Sequence, residues 1–236
     1  MQVTRMALVA TLFLGPPSIA LTNDAPGSES LKIDHVIVGV ADLDRGMQQF
    51  EQLTGVRPVL GGDSPGRGTR NALVSLGKGR YLELLAARAD ASPSADIDVL
   101  RELKELTPLR WAVSTSQPEV TVLHLRQLGY GISDPLPGSR VKPDGTMLRW
   151  VRFRITNPEL KQAPFLINWD SASLHPSIDS PAGCDLTDLT LIVSNQDPYQ
   201  GLLHGLPIGV GIRRGDRPRL EVTLSCPKGI VRLGAG

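Results

Sequence analysis

The stretch that decides the fold is Leu31–Gly62, LKIDHVIVGVADLDRGMQQFEQLTGVRPVLGG. It begins with an apolar run typical of a strand, which contains His35, and continues through a short polar turn into an amphipathic segment. Three apolar residues spaced three apart predict one face of a helix, namely Met47, Phe50 and Leu53. A glycine then ends the helix and a second strand follows, so the stretch predicts a strand–helix–strand unit.

Two later segments repeat this pattern. They are RWAVSTSQPEVTVLHLRQLGYGISDPLPG and DLTLIVSNQDPYQGLLHGLPIGVGIRRG, and each has a strand, a polar turn, an apolar-patterned helix and a glycine stop. The second helix is expected to present a more continuous apolar surface, made of Val120, Leu123, Leu125 and Leu128. Repetition of a strand–helix pattern indicates that the chain is built from similar structural units. Further strands follow each helix, so the sequence predicts the element order βαβββ twice in full and a third time in abbreviated form.

Composition places the chain among ordinary globular proteins. Its 236 residues are 41% hydrophobic and 21% charged, and the formal net charge is +1. The sequence has no Lys/Arg block and only 4% aromatic residues, so it lacks the features of a nucleic-acid-binding surface. Two cysteines cannot form a disulfide framework, but Cys184 and Cys226 could form one bridge in an oxidising compartment.

The N-terminus has the layout of a secretory signal. A charged start, a short apolar run and small residues at a cleavage position predict a signal peptide over residues 1–20, followed by a polar linker over 21–30. The apolar run is far shorter than the roughly 20 residues of a membrane-spanning helix. The expected location is therefore periplasmic or secreted, with no membrane span. The alternative is a cytoplasmic protein with an apolar tail.

Three motifs carry a family resemblance. HVIVGVADLDRGMQQFEQLTGVRP, GTRNALVSLGKGRYLELLA and PFLINWD with His175-Pro176 resemble the glyoxalase-like domain of the vicinal oxygen chelate superfamily. The resemblance covers Leu31 to Pro176 well and the last third more loosely. It implies an α+β fold of paired βαβββ modules whose sheets curl around a cleft. In many members that cleft holds a divalent metal chelated by oxygens of the substrate.

The resemblance and the repeats together divide the chain. The first βαβββ module is expected over residues 31–90 and the second over 108–176, with a linker and helix over 91–107. An extra C-terminal half-module, a partial third unit of βαβ type, is expected over 184–236.

The resemblance also implies a candidate metal site on the first and last strands of each module. In the first module these positions are His35 and Glu83, and a nitrogen–oxygen pair of this kind suits Zn, Ni, Mn or Fe. In the second module the matching positions are Trp111 and Ile167, neither of which can bind a metal.

Catalytic metal centres usually have three protein ligands, so this set is incomplete. Asp170 or His175, which follow the last strand of the second module, are the candidates for a third ligand. The alternative is that His35 packs or hydrogen-bonds within the sheet and that Glu83 pairs with an arginine.

Strand alternation places Glu83 on the same face as Tyr81 and Leu85, with Leu82 and Leu84 on the other face. A carboxylate that faces a closed core is costly unless it is paired, so Glu83 is expected to face a cleft or to have a partner. The remaining candidate cleft residues are Thr69, Asn71, Trp111, Trp150 and Trp169.

Two functions remain open. The first is a metal-dependent isomerase, lyase or dioxygenase-type enzyme, in which the metal polarises oxygens of a small substrate and Glu83 moves a proton. The second is a metal-free module that binds a small organic molecule, or an interaction domain, without turnover. A homodimer is a further expectation. The sequence contains no CxxC or HExxH, so thiol-redox and zincin chemistry have no support.

Overall fold

The first unit folds as its pattern predicts. In this computed structural model, which describes residues 31–77 and 79–235, helix α1 begins after Asp42, whose carboxylate accepts a hydrogen bond from the backbone N–H of Arg45. The helix ends at Gly55, which adopts φ 82°, a left-handed conformation that favours glycine. The predicted signal peptide and linker, residues 1–30, lie outside the described residues.

Two modules of the same element order account for most of the chain. The first consists of β1 (Lys32–Gly39), α1 (Leu43–Thr54), β2 (Val59–Ser64), β3 (Thr69–Ser75) and β4 (Tyr81–Ala87), with a 3-10 turn at Pro65–Arg67. The second consists of β5 (Thr107–Ser114), α3 (Pro118–Gln127), β6 (Leu136–Val141), β7 (Met147–Arg154) and β8 (Phe165–Trp169). Helix α2 (Ala95–Glu102) connects them, and the short helix α4 (Pro176–Asp179) follows the second module.

The eight strands of these modules close into one barrel. Its strand order is β1-β4-β3-β2-β6-β7-β8-β5. Within each module the first and last strands pair in parallel, β1 with β4 and β5 with β8. The modules join where β1 meets β5 in antiparallel pairing and where β2 meets β6. This arrangement confirms the α+β fold of paired βαβββ modules with sheets curled around a centre.

The last third of the chain forms a separate four-stranded sheet. Its elements are β9 (Asp185–Val193), α5 (Asp197–Gly205), β10 (Gly211–Arg214), β11 (Arg219–Cys226) and β12 (Gly229–Leu233). The strand order is β10-β9-β11-β12, so β9 lies between β10 and β11. In the barrel modules the first strand pairs instead with the last strand. The third segment therefore repeats the order of elements but not the pairing of strands.

Two predicted helix faces need correction. In α1, Met47 and Phe50 are buried but Leu53 is 49% exposed. In α3, Thr121, Val122 and Leu125 are buried, whereas the other three predicted residues are exposed, namely Val120, Leu123 and Leu128. In α1 two steps of three residues turn Leu53 by about 120° away from Met47, which carries it off the buried face. In α3 the predicted residues are spaced by three, two and three, so they are spread around the helix and do not share one face.

Candidate functional site

The barrel lumen is lined by side chains that alternate along its strands. On β4, Tyr81 and Glu83 face the lumen, while Leu82 and Leu84 belong to the main core on the other face of the wall. His35 also lines the lumen, and its ring stacks on that of Tyr81 with 4.5 Å between ring centroids. The sequence-predicted alternation of this strand is therefore confirmed.

Glu83 is paired with a residue of the second module. Oε1 of Glu83 accepts a hydrogen bond from Nδ2 of Asn71 at 2.6 Å and another from Arg140 on β6 at 3.0 Å. Burial alone would raise the pKa of Glu83, but the charge of Arg140, with contributions from His35 and Asn71, holds that pKa below its ordinary value. Glu83 is therefore ionised, and its negative charge is balanced by the positive charge of Arg140.

His35 belongs to a second buried polar cluster. Its Nδ1 donates to Oδ1 of Asp34 at 2.6 Å, and Nε2 of His175 donates to Oδ2 of Asp34 at 3.1 Å. The indole N–H of Trp169 also reaches Oδ2 of Asp34, at 3.2 Å. Burial would raise the pKa of Asp34, but hydrogen bonds from His175 and His35 lower it to about 2. We call these four residues the Asp34 cluster.

The residues present do not fit a catalytic metal centre. Among residues 31–77 and 79–235, no group of three His, Cys, Asp or Glu side chains is arranged to hold a metal ion. The guanidinium of Arg140 lies against Glu83, so a cation would have to displace an existing positive charge. His175, one candidate third ligand, is directed to Asp34 instead. Asp170, the other, is exposed and accepts a hydrogen bond from the backbone of Ala172 at 2.9 Å.

The remaining predicted cleft residues are distributed over three places. Trp150 and Trp169 line the lumen. Thr69 lies at the end of the barrel, in the wall of a larger cavity. The placement of Trp111 in the cleft needs correction, because this side chain is fully buried in the main core and pairs in register with the core residue Val36. Its indole N–H donates to the carbonyl of Gln162 at 2.9 Å.

An open cavity lies at one mouth of the barrel. This mouth cavity has a volume of about 770 Å³, whereas the open volume in the lumen itself is only about 30 Å³. Ile37, Arg67 and Arg152 line both spaces, so the cavity continues into the lumen. A volume near 770 Å³ lies within the range of small-molecule sites, roughly 300–1,000 Å³. The lumen, by contrast, has room for about one water molecule.

Sequence reasoning missed three functional candidates. Asp34 sits at an irregularity of the β1–β5 pairing between Ile33 and His35, so simple alternation cannot place it. Arg140 comes from a different module than its partner Glu83, and no local pattern links them. Arg152 could have been found, because it lies two residues from Trp150 on β7 and therefore on the same face.

The comparisons with known proteins agree with this architecture. A family model described as a glyoxalase-like domain matches residues 33–206. A hypothetical protein from Staphylococcus aureus has a similar structure, with a TM-score of 0.66 and 16% identity, over 86% of this chain and 98% of its own. At that identity the likeness shows the fold alone. No curated protein matches the sequence.

Two further solved structures are similar over a smaller part of the chain. Methylmalonyl-CoA epimerase from Mycobacterium tuberculosis is 20% identical with a TM-score of 0.41, over 57% of this chain and 85% of its own. A hypothetical protein from Bacillus halodurans is 16% identical with a TM-score of 0.45, over 61% of this chain and 97% of its own. Neither likeness is close enough to carry function across.

Proposed function

This chain belongs to the glyoxalase-like domain family, and on that premise we propose that it is a small-molecule-binding protein whose ligand occupies the mouth cavity of the barrel. The observation that carries the proposal is the cavity of about 770 Å³ that opens onto the lumen. Part of the lining is apolar, with Ile37, Leu85 and Leu100 packed together, and part is polar or charged. Ligand sites commonly combine a concave apolar wall with a few polar groups in this way.

A cavity-filling substitution tests this proposal. Val99 lines the mouth cavity from α2 and is 50% exposed, so Val99→Trp fills space in the cavity without crowding the core. Leu123→Trp is the matched control, because Leu123 is 58% exposed on α3 and does not line the cavity. The measurement is a thermal-shift screen of the purified protein with small organic compounds, followed by titration of those that raise Tm.

The expected result is at least one compound that raises Tm of the wild type and of Leu123→Trp but not of Val99→Trp. Ligands that bind only the native state raise Tm in this way. The proposal fails if no compound raises Tm, or if Val99→Trp responds as the wild type does.

The metal-dependent isomerase, lyase or dioxygenase is the second candidate. His35 and Glu83 both line the lumen, which favours it. The pairing of Glu83 with Arg140 and of His35 with Asp34 weighs against it, since both side chains already have partners. Metal analysis after incubation with Zn, Ni, Mn and Fe separates the two candidates. Stoichiometric metal that is lost in His35→Ala and Glu83→Ala would establish the second.

Export is a further part of the proposal. It is supported by the signal-like pattern of residues 1–20 and by the disulfide between Cys184 and Cys226. Disulfides form and persist mainly in oxidising compartments outside the cytoplasm. In the part of the chain that the structure describes, no helix combines the length and apolar character needed to cross a membrane. The homodimer stays a prediction of the sequence.

A further inference from the structure

The wall of the mouth cavity carries an excess of positive charge. Five arginines line it, but only two aspartates do. Each aspartate already neutralises one arginine, because Asp90 pairs with Arg88 at 2.8 Å and Asp96 pairs with Arg110 at 2.9 Å. Three cavity arginines therefore remain, and we call Arg67, Arg152 and Arg154 the arginine trio.

The arginine trio has no counter-charge of its own. Within residues 31–77 and 79–235, no carboxylate forms an ion pair with any of its three members. Glu83 interacts electrostatically with Arg67 and Arg152, and Asp96 interacts with Arg67, but Glu83 is bonded to Arg140 and Asn71 and Asp96 is paired with Arg110. The charge of Glu83 is thus shared with a fourth arginine, and positive charge is left over at the mouth.

Arg152 is the member whose environment is most unusual. It lies on β7, is partly buried, and its Nε is buried with no hydrogen-bond partner among the described residues. Burial, followed by the positive charges of Arg67 and Arg154, lowers the pKa of Arg152 to about 10. Arg152 therefore stays protonated at neutral pH, as a partly desolvated cation that lies over the ring of Phe165, 6.0 Å from its centroid, but forms no ion pair with a carboxylate in the described part of the chain. Such a charge is costly unless something compensates it.

The lining of the mouth cavity also has an apolar part. Ile37, Leu85 and Leu100 form a small apolar cluster against which Leu109 packs, and all four line the cavity. A ligand that fills the cavity therefore meets both guanidinium groups and aliphatic side chains. Guanidinium groups bind carboxylate and phosphate oxygens through paired hydrogen bonds.

We propose that the mouth cavity binds an organic oxyanion, a carboxylate or a phosphate monoester attached to an apolar body, through Arg67, Arg152 and Arg154. The inference rests on the proposed function, since it specifies the ligand class of the same cavity. The oxyanion supplies the charge that the trio lacks, and the apolar body covers Leu85, Leu100 and their neighbours.

Matched probes test the role of the charge. Phenylacetate, phenyl phosphate and the neutral phenylacetamide share an aromatic body but differ in their head group. Titration calorimetry of the full chain is expected to show binding of one or both anions, weakened by added NaCl. The neutral amide should bind at least about tenfold more weakly than the better anion, because charge-assisted hydrogen bonds are about twice as strong as neutral ones. Comparison of the two anions identifies the preferred head group.

Arginine variants locate the site. Arg152→Gln removes the cation and is expected to weaken binding of the better anion by about tenfold or more, as loss of a charged hydrogen-bond partner does. Arg154→Gln provides a second variant of the same trio. Arg232→Gln is the matched control, because Arg232 is an exposed strand arginine outside the cavity and the change in net charge is identical. Circular dichroism confirms that each variant is folded.

The outcomes separate the inference from the function on which it rests. The inference is overturned if phenylacetamide binds as tightly as the anions, or if Arg152→Gln and Arg154→Gln both bind the anion as the wild type does. If a neutral compound binds in a manner blocked by Val99→Trp while the anions do not bind, the proposed function stands and the inference falls. If no compound binds the wild type, both fall.

Discussion

At the scale of single residues, the barrel interior is governed by charge compensation. Glu83 is 6% exposed, and its negative charge is balanced by Arg140 from the other module. The pair thus links β4 to β6 across the lumen. Breaking such a buried pair from one side leaves an uncompensated charge, which costs about 3–5 kcal/mol. Glu83 therefore has a sufficient structural reason to be present, whether or not it also contacts a ligand.

Asp34 makes stability depend on pH in a defined window. Its pKa is about 2 in the folded protein against an ordinary 3.8, so the folded state favours the ionised form. The associated stability is fully present above about pH 4 and is lost as the pH falls through about 2. A shift of this size corresponds to about 2 kcal/mol. We expect Asp34→Asn to lower the free energy of unfolding at pH 7, measured by urea denaturation, by about 2 kcal/mol or more.

The difference between wild type and Asp34→Asn should shrink as the pH falls from about 4 through about 2, because a growing fraction of Asp34 is then protonated and uncharged like Asn. Asp216→Asn is the control, since Asp216 is exposed and has no hydrogen-bond or ion-pair partner in the described part of the chain; its effect should stay within about 0.5 kcal/mol. An Asp34→Asn variant as stable as the wild type at pH 7 would contradict the assignment of the cluster.

Part of this site could be predicted from the sequence because strand alternation is a local property. Alternation along β4 predicts that Glu83 faces a cleft or has a partner, and Glu83 both lines the lumen and pairs with Arg140. The alternative in which His35 forms a hydrogen bond and Glu83 pairs with an arginine is the one that the structure shows. The identity of that arginine, Arg140, could not be predicted, because the pairing depends on how two modules close into a barrel rather than on spacing along either one.

At the scale of elements, helix faces were predicted less well than strands. The buried side of α1 follows Met47, Phe50 and Thr54, which are spaced by three and then four residues, as a helix of 3.6 residues per turn requires. Leu53, spaced by three again, falls outside that stripe. In α3 apolar residues occur on several sides, so the sequence pattern alone does not choose a face. Contact with α5 and β8 selects the side that is buried.

The disulfide stabilises the C-terminal sheet. Cys184 precedes β9, Cys226 ends β11, and the sequence separation between them is 42 residues. On the chain-entropy estimate, closing a loop of this length contributes about 4 kcal/mol by restricting the unfolded chain. We expect the double variant Cys184→Ala/Cys226→Ala to lose ~2–4 kcal/mol of unfolding free energy in urea denaturation.

Reduced wild type provides the control for the disulfide. It should unfold near the same urea concentration as the double variant, because both lack the disulfide bond. The two proteins then differ only in the side chains at positions 184 and 226. A double variant with the same midpoint and slope as the oxidised wild type would show that the bond contributes nothing to stability.

At the scale of the whole molecule, the barrel and the C-terminal sheet share one hydrophobic core. Val36 and Leu84 from the barrel wall belong to the same buried cluster as Leu189 and Leu224 from the C-terminal sheet. Strand β11 contacts β5, and α5 contacts α3. Because apolar surface of both parts is buried in common, neither part should unfold without exposing the other. The extra sheet is therefore expected to act as part of a single cooperative unit.

The tryptophans allow that cooperativity to be measured. All three lie on barrel strands. Trp150 and Trp169 line the lumen, so their fluorescence reports the barrel, whereas Trp111 is buried in the core that the barrel shares with the C-terminal sheet. Leu202→Ala removes a fully buried side chain from α5, which should cost ~2–5 kcal/mol through lost burial and a residual cavity. If the molecule unfolds as one unit, the fluorescence midpoint in urea falls together with that of far-UV circular dichroism.

Ile230→Ala is the matched control for Leu202→Ala. Ile230 is also a large aliphatic residue of the C-terminal segment, but it is 55% exposed on β12, so its truncation should change stability by less than about 0.5 kcal/mol. A fluorescence midpoint that stays unchanged in Leu202→Ala while the circular dichroism midpoint falls would mean that the C-terminal sheet unfolds independently. The barrel would then be a separate folding unit, and the mouth cavity would not depend on the C-terminal sheet for its stability.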